Sequence, residues 1–147
     1  MKSIAVGSVK KYTKQEIAEI QLERAIRIFL DEQDLISAIT LAGAAEEILG
    51  ELLERQGKTT ALTDIVNECV TLGKTIGTDW KVGTFRQMMN FFRNEMKHHR
   101  KGEGLDNIPI PAEAVHEIIK RAAENLWRLT GTQSDQVQRF NSQTGEA

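Results

Sequence analysis

The longest helical pattern in the sequence, residues 34–56, most constrains what this chain can fold into. Apolar residues recur there at spacings of three and four, which places them on one side of an α-helix. This side comprises Leu35, Ile39, Ala42, Ala45, Leu49 and Leu52, with Ile36, Leu41 and Ile48 beside it. Such a broad apolar surface has to be buried against other elements, so we expect this helix at the centre of a bundle.

Further segments carry the same periodicity, so the sequence predicts about five helices in total. These segments are residues 14–31, 64–72, a stretch from about 79 or 84 to 99, and 111–129. Thr13 and Glu16 fit a capping box at the start of the first helix. Thr63 and Pro111 are expected to begin the third and fifth helices. Because no segment alternates strictly between apolar and polar residues, the predicted fold is an all-α, up-down helical bundle.

The chain length of 147 residues fits one domain. We assign residues 1–12 to an N-terminal extension, 13–130 to a single helical-bundle domain and 131–147 to a flexible C-terminal tail. The last segment is rich in Thr, Gln, Ser and Asn and poor in apolar residues, a composition typical of disorder.

Composition excludes several classes of protein. Cys69 is the only cysteine, so neither a disulfide framework nor a cysteine-based metal cluster is expected. No run approaches the ~20 apolar residues of a membrane span, and the N-terminus lacks the apolar core of a signal peptide. A net charge of −2 argues against a nonspecific coat on nucleic acid. We therefore expect a cytoplasmic protein with no membrane partner, no DNA ligand, no metal and no other cofactor.

The fourth predicted helix carries an unusual polar side. Its apolar side, which is expected to face the core, comprises Phe85, Met88, Met89, Phe92 and Met96. On the opposite side Asn90, Asn94 and His98 follow one another at i, i+4 and i+8. A merely solvated helix side would more often use Glu, Lys or Gln. The row therefore indicates hydrogen bonding to a ligand.

Basic residues cluster beside this row and after it. Arg93 and Lys97 form the adjacent row on the helix. The residues predicted to bind the substrate are Asn90, Lys97, His99, Arg100 and Lys101. Such a cluster in an acidic chain suits an anionic ligand such as a phosphate group. An imidazole can move protons near neutral pH, and an arginine can stabilise a phosphate transition state. The set could therefore cleave RNA without a metal, using the 2′-hydroxyl as nucleophile. A basic helix end that merely opposes the C-terminal helix dipole is the structural alternative.

The polar side of this helix also predicts a partner. Because it is expected to point away from the protomer's own core, a water-poor site there needs a second surface to cover it. Phe91 projects beside the polar row, where an exposed aromatic side chain is unfavourable. The sequence thus predicts a homodimer through the helix around Asn90 to His98.

The segment from Arg93 to His98, which reads Arg-Asn-Glu-Met-Lys-His, resembles the motif of the HEPN superfamily. Ribonuclease members of that family share an arginine, a polar residue that is often asparagine, three further residues and a histidine, within an all-α bundle. The resemblance extends to the number and order of the predicted helices. It implies a metal-independent endoribonuclease, commonly the toxin of a toxin–antitoxin or phage-defence system, with two motifs at one dimeric cleft.

The resemblance also implies roles for single residues. Arg93 and His98 would carry catalysis, and Asn94 would orient the histidine or the RNA substrate. Glu46 or Glu47 on the second helix would position Arg93. Some such toxins, paired with a nucleotidyltransferase antitoxin, carry a tyrosine two residues after the histidine. In this chain that position is Arg100, so regulation by modification of such a tyrosine is not expected.

Two other classes of function remain open from the sequence. A noncatalytic HEPN-like bundle would use the same basic helix end to bind a nucleotide or a protein partner. A di-iron carboxylate bundle is suggested by Glu95 with His98 and Glu113 with His116, each an i, i+3 pair. Those pairs lie at helix ends, however, whereas di-iron sites need them in the middle of a bundle.

Overall fold

The computed structural model describes residues 5–97 and 107–145. Within these ranges the chain forms six α-helices and no strand, so the all-α bundle is confirmed with one helix more than expected. The elements are α1 (Lys14–Arg27), a π-helical turn (Ile28–Glu32), α2 (Leu35–Arg55), α3 (Ala61–Thr75), α4 (Val82–Glu95), α5 (Ala112–Thr130) and α6 (Asp135–Thr144). No helix in the described part of the chain has both the length and the apolar composition needed to cross a lipid bilayer.

The core of the bundle forms around α2, as its apolar pattern predicts. α2 packs most extensively against α5 and then α1. Its fully buried side chains include Ala38, Ile39, Ala42, Ala45, Leu49 and Leu53. The helix begins where Asp34 caps it, because Oδ1 of Asp34 accepts a hydrogen bond of 3.0 Å from the Ser37 N–H. This rigid three-helix centre supports the site described below.

Local capping sets the starts of α1 and α3. At α1 the predicted capping box is confirmed, because Thr13 and Glu16 each accept a hydrogen bond from the other's backbone N–H. α3 begins three residues earlier than predicted, since its N-cap is Thr60 rather than Thr63. The Ala61 N–H donates to Oδ1 of Asn125 over 2.9 Å, which satisfies a backbone group exposed by the helix start.

The segment expected to be a flexible tail contains α6, so that prediction is wrong for residues 135–144. Val137 and Phe140 of α6 are buried in the main core. The Phe140 ring centroid lies 5.0 Å from that of His116 and 6.3 Å from that of Phe29. Two apolar side chains one turn apart thus anchor a short, otherwise polar helix to the core.

α4 is the most exposed of the described helices, with no buried residue, and it rests on α3 and α2. Phe92 and Met96 from its expected apolar side pack against the core. Met88 is exposed, which contradicts the prediction for that residue, because the helix is rotated so that its Arg93 side faces α2. The rest of the predicted helix, from residue 98 to 99, lies outside the described residues.

Candidate functional site

Arg93 points toward α2 and not toward solvent, which corrects the expectation that its polar side faces away from the core. Its side chain is only 13% exposed. A Cβ atom placed on Gly43 would lie 2.5 Å from Cγ and 2.8 Å from Cδ of Arg93. The space for the arginine therefore exists because residue 43 has no side chain.

Glu46 of α2 holds two arginines from two other helices. Its Oε2 lies 3.5 Å from Nη1 of Arg93. Its Oε1 lies 2.9 Å from Nε of Arg121 on α5, and Oε2 accepts a hydrogen bond of 3.1 Å from Nη2 of the same arginine. Arg121 also donates to the Met89 carbonyl of α4 over 3.3 Å. The Glu46 cluster, as we call Glu46, Arg93 and Arg121, thus ties α2, α4 and α5 together.

The Glu46 cluster carries an excess of positive charge at depth. Glu46 and Arg121 are each 3% exposed, so neither charge is stabilised much by water. Two guanidinium groups with one carboxylate leave a formal charge of +1. An unbalanced buried charge is costly unless a counter-ion or a hydrogen-bond partner reaches it. The neighbouring Glu47 offsets part of this charge, because the pKa of its carboxyl is lowered by Lys97 and also by Arg93. Arg93 is the most accessible member of the cluster and thus the one that an anion can reach.

Two buried polar atoms at this cluster have neither a hydrogen bond nor an ion-pair contact within the described residues. These atoms are Nε of Arg93 and the amide oxygen of Asn90, one turn earlier on α4. Most buried polar atoms in proteins have a hydrogen-bond partner, so exceptions need an explanation such as a bound ligand or water. Both atoms belong to residues that line the same cavity.

This cavity, the α2–α4 cavity, has a volume of about 170 Å³. One wall consists of α2 residues, among them Glu46, Glu47, Glu51 and Glu54. The opposite wall consists of Arg86, Asn90 and Arg93, which follow one another along one side of α4. The α2 wall therefore presents carboxylate acceptors, and the α4 wall presents two guanidinium donors together with the amide group of Asn90.

Two further contacts fix the ends of α4 over this cavity. Lys97 donates a hydrogen bond of 2.9 Å to Oε2 of Glu47, and this bond lowers the pKa of the Glu47 carboxyl. At the other end, Arg86 donates to Oγ1 of Thr63 over 2.8 Å. Glu47 thus contacts Lys97, while Glu46 contacts Arg93; both glutamates are close enough to influence the predicted site.

Not all predicted site residues meet at the cavity. Asn94 is exposed and is not among the residues that line it. Phe91 is 40% exposed, as expected for the outer side of α4. The remaining predicted residues, His98, His99, Arg100 and Lys101, lie outside the described part of the chain.

Arg121, Arg86 and Asn125 contribute to this region and were missed from the sequence. A signal for the α5 pair was present. Arg121 and Asn125 are polar residues one turn apart within the apolar side of α5, next to Ile118 and Ala122. Polar residues in such positions indicate a buried polar network.

The structure also bears on the di-iron alternative. Within residues 5–97 and 107–145, no group of three or more His, Cys, Asp or Glu side chains is arranged to hold a metal ion. The ring of His116 packs beside Phe140. Of the two predicted pairs, the one that contains His98 is incompletely described.

Comparison with known proteins adds no relative to these observations. No protein-family model matches the chain, and neither a curated protein nor a solved structure matches it. A functional assignment therefore depends on the residues of this chain and their geometry.

Proposed function

We propose that this protein is a metal-independent endoribonuclease of the HEPN type, in which Arg93 binds the scissile phosphate and His98 transfers protons. The observation that carries the proposal is the Glu46 cluster, where the largely buried Arg93 has a second arginine beside it and an unpartnered Nε. The family resemblance of the segment that begins at Arg93 supplies the reaction class.

The electrostatics of the Glu46 cluster support a phosphate as the ligand. A phosphodiester carries one negative charge, which would balance the formal +1 charge of the cluster. Arginine forms short, charge-assisted hydrogen bonds with phosphate oxygens, often through two N–H groups at once. Because Nη1 of Arg93 is occupied only by a 3.5 Å contact with Glu46, a phosphate can compete for the guanidinium group.

The proposed reaction needs a base, an acid and a cation. The RNA 2′-oxygen attacks phosphorus and loses its proton to a base, while the bond from phosphorus to the 5′-oxygen breaks and that oxygen gains a proton. The products are a 2′,3′-cyclic phosphate and a 5′-hydroxyl end. An imidazole is suited to proton transfer at neutral pH. We assign this role to His98 from its place in the sequence, five residues after Arg93.

A noncatalytic binding module is the second candidate. It is favoured by the carboxylates of Glu51 and Glu54, which line the same cavity and would repel additional RNA phosphates. In that case Arg93 would bind a single nucleotide or an acidic partner, and His98 would be dispensable.

We further propose that the protein acts as a homodimer, as the exposed Phe91 on the outer side of α4 suggests. The resemblance would make it the toxin of a toxin–antitoxin or phage-defence system, with an antitoxin protein as its cellular partner. Its working location would be the cytoplasm, where RNA is accessible.

Cleavage of a mixed RNA substrate in EDTA tests the nuclease proposal. We expect wild-type protein to produce 2′,3′-cyclic phosphate ends, and Arg93→Ala and His98→Ala each to lower the rate by about 10²-fold or more. The matched control is Arg24→Ala, which removes an exposed arginine of α1 that pairs with Glu32. It should cleave like wild type.

The outcomes separate the two candidates. If folded wild type cleaves none of a diverse set of RNAs, the noncatalytic module replaces the nuclease. If cleavage survives in the folded His98→Ala variant, the assigned proton-transfer role is wrong. Circular dichroism of each variant shows whether a loss of rate reflects chemistry or unfolding.

A further inference from the structure

The α2–α4 cavity extends beyond what a single phosphate needs. Its volume of about 170 Å³ is roughly ten times the ~10–15 Å³ that a single water molecule needs by the same measure, which leaves room for one planar base. Arg93 lies at its wall, so a base bound in the cavity would adjoin a phosphate held by that arginine. Sequence-specific RNA recognition commonly places an unstacked base in such a pocket and hydrogen-bonds its edges.

We propose that the α2–α4 cavity is a guanine-binding subsite, in which Glu51 accepts hydrogen bonds from one edge of the base and Arg86 donates to the other. The inference deepens the proposed ribonuclease, since it names the nucleotide beside the scissile phosphate. Base binding itself can be measured without cleavage.

The two walls of the cavity determine which base fits. A carboxylate only accepts hydrogen bonds and a guanidinium group only donates them. Guanine has two adjacent donors, N1–H and the N2 amino group, and two acceptors, O6 and N7, on another edge. A carboxylate can therefore engage both donors while an arginine engages both acceptors.

The other three bases fit this arrangement less well. Adenine would turn its N1 acceptor toward the carboxylate, which repels it. Cytosine and uracil each present only one donor group, so the carboxylate cannot bind them through two neighbouring donors. A site built to hydrogen-bond one set of groups discriminates strongly against ligands that leave its polar atoms unpaired.

Glu51 and Arg86 are both available for a ligand. The Glu51 side chain is exposed, lines the cavity and takes part in no ion pair or hydrogen bond with another described residue. The Arg86 contact is with the neutral Thr63 hydroxyl, so a ligand could replace it without separating two charges. The amide oxygen of Asn90, which lines the same cavity, is buried and lacks a donor. An amino group of a bound base can supply that donor.

Gly50 leaves room on the floor of the cavity. A Cβ atom there would lie 3.4 Å from Cγ2 of Thr60 and 3.8 Å from Nδ2 of Asn125, both ordinary contacts. A Gly50→Ala variant should therefore fold, and its added methyl group would take up space that the base needs. This substitution tests the cavity without removing a charge.

Calorimetric titration with the four nucleoside 3′-monophosphates, in EDTA, tests the inference. We expect guanosine 3′-monophosphate to bind at least about 10-fold more tightly than the other three. Arg86→Ala, Glu51→Gln and Gly50→Ala should each remove most of that preference. Arg24→Ala should retain it. Inorganic phosphate alone should bind weakly and equally to wild type and Arg86→Ala, which separates phosphate binding from base binding.

Arg86→Lys provides a second test of the same residue in case Arg86→Ala does not fold. It keeps the positive charge but loses the planar two-donor geometry, so guanosine preference should still fall. Equal affinity for all four nucleotides, or an unchanged preference in folded Arg86→Lys and Gly50→Ala, would overturn the inference.

RNA cleavage and nucleotide binding together distinguish a wrong subsite from a wrong nuclease assignment. One result is RNA cleavage that depends on Arg93 and yet shows no preference for guanine beside the cut. That result would support the proposed nuclease and refute the guanine subsite. Selective guanosine binding without RNA cleavage leaves the subsite and supports the noncatalytic module.

Discussion

Glu46 has a structural role in the bundle and, in the proposed nuclease, would also position Arg93. Both it and Arg121 are 3% exposed, a depth at which a charge persists only with a partner. Removing one member of a buried pair costs more than the pair contributes, because the other charge remains buried and unpaired. Glu46 should therefore support the fold whether or not a substrate occupies Arg93.

Glu46→Gln should therefore be less stable than wild type. The variant leaves Arg93 and Arg121 without a counter-charge, so its free energy of unfolding should fall by about 3 kcal/mol. Glu54→Gln, an exposed change on the same helix, should alter it by less than about 0.5 kcal/mol. Urea denaturation followed by circular dichroism measures both. Equal urea midpoints for the two variants would contradict the stabilising role assigned to Glu46.

Gly43→Ala should separate helix stability from the position of Arg93. Alanine normally favours a helix interior over glycine by about 0.5–1 kcal/mol. At position 43, however, the new Cβ would lie 2.5 Å from Cγ of Arg93, so the arginine has to move. If Arg93 binds phosphate as proposed, its displacement by about 1 Å can cost about 10²-fold in rate. We therefore expect RNA cleavage to fall by that order while the helical signal is retained.

Gly83→Ala is the matched control for this substitution. Gly83 also lies in a helix, and a Cβ there meets no atom within 4 Å. It should therefore cleave RNA at the wild-type rate. If Gly43→Ala is as active as Gly83→Ala, Arg93 does not need its present position for catalysis.

At the residue scale, the sequence predicts contacts between near neighbours more readily than contacts between distant helices. The Thr13–Glu16 box depends on residues three apart and was predicted correctly. The Glu46–Arg121 contact joins residues 75 positions apart, so it depends on how α5 packs against α2. Periodicity places Arg121 on the buried side of α5, yet it does not identify the acidic residue that faces it.

The same difference between local and distant contacts decides which helices the sequence predicts. α2 and α5 have long apolar stripes, so periodicity alone identified them. α6 buries only Val137 and Phe140, too few for a clear period in a polar segment. Its docking depends on Phe29 and His116, which are distant in sequence.

An ion pair between Asp31 and Arg139 adds to the docking of α6, and it makes that docking sensitive to acid. The hydrogen bond from Arg139 lowers the pKa of the Asp31 carboxyl below its ordinary value of 3.8. A carboxyl with a lowered pKa in the folded state stabilises the fold above its ordinary pKa, and the contribution is lost as pH falls through the folded value. Both groups are solvent-accessible, so the effect is screened by salt.

Arg139→Ala should therefore be less stable than wild type at pH 7, and the difference should shrink as pH falls below 3.8. Thermal unfolding measured from pH 7 down to about pH 2.5 tests this. Gln138→Ala, an uncharged change on an exposed neighbour, should show no such pH-dependent difference. A constant difference between Arg139→Ala and wild type across this range would contradict the ion-pair explanation.

At the scale of the whole molecule, the exposed Phe91 on the outer side of α4 marks the surface proposed for a second copy. Phe91 and Arg93 are two residues apart and thus project about 160° apart around α4. Since Arg93 faces α2, a second copy packed on Phe91 would lie beside the exposed Asn94 and not over the Glu46 cluster. In that arrangement, α2 of the same chain excludes water from Arg93. The second copy would cover only the outer side of α4.

Phe91→Arg tests whether the protein is a dimer through this side of α4. Analytical ultracentrifugation should give twice the chain mass of 16.5 kDa for wild type and 16.5 kDa for the variant, because a charge at the centre of an apolar interface opposes association. Trp127→Arg is the matched control, since Trp127 is 50% exposed on α5 and should leave the dimer intact. A monomeric wild type would refute the dimer, and a dimeric Phe91→Arg would place the interface elsewhere. If only Phe91→Arg dissociates and also loses RNA cleavage, the outer side of α4 is required for the reaction that Arg93 serves from the inner side.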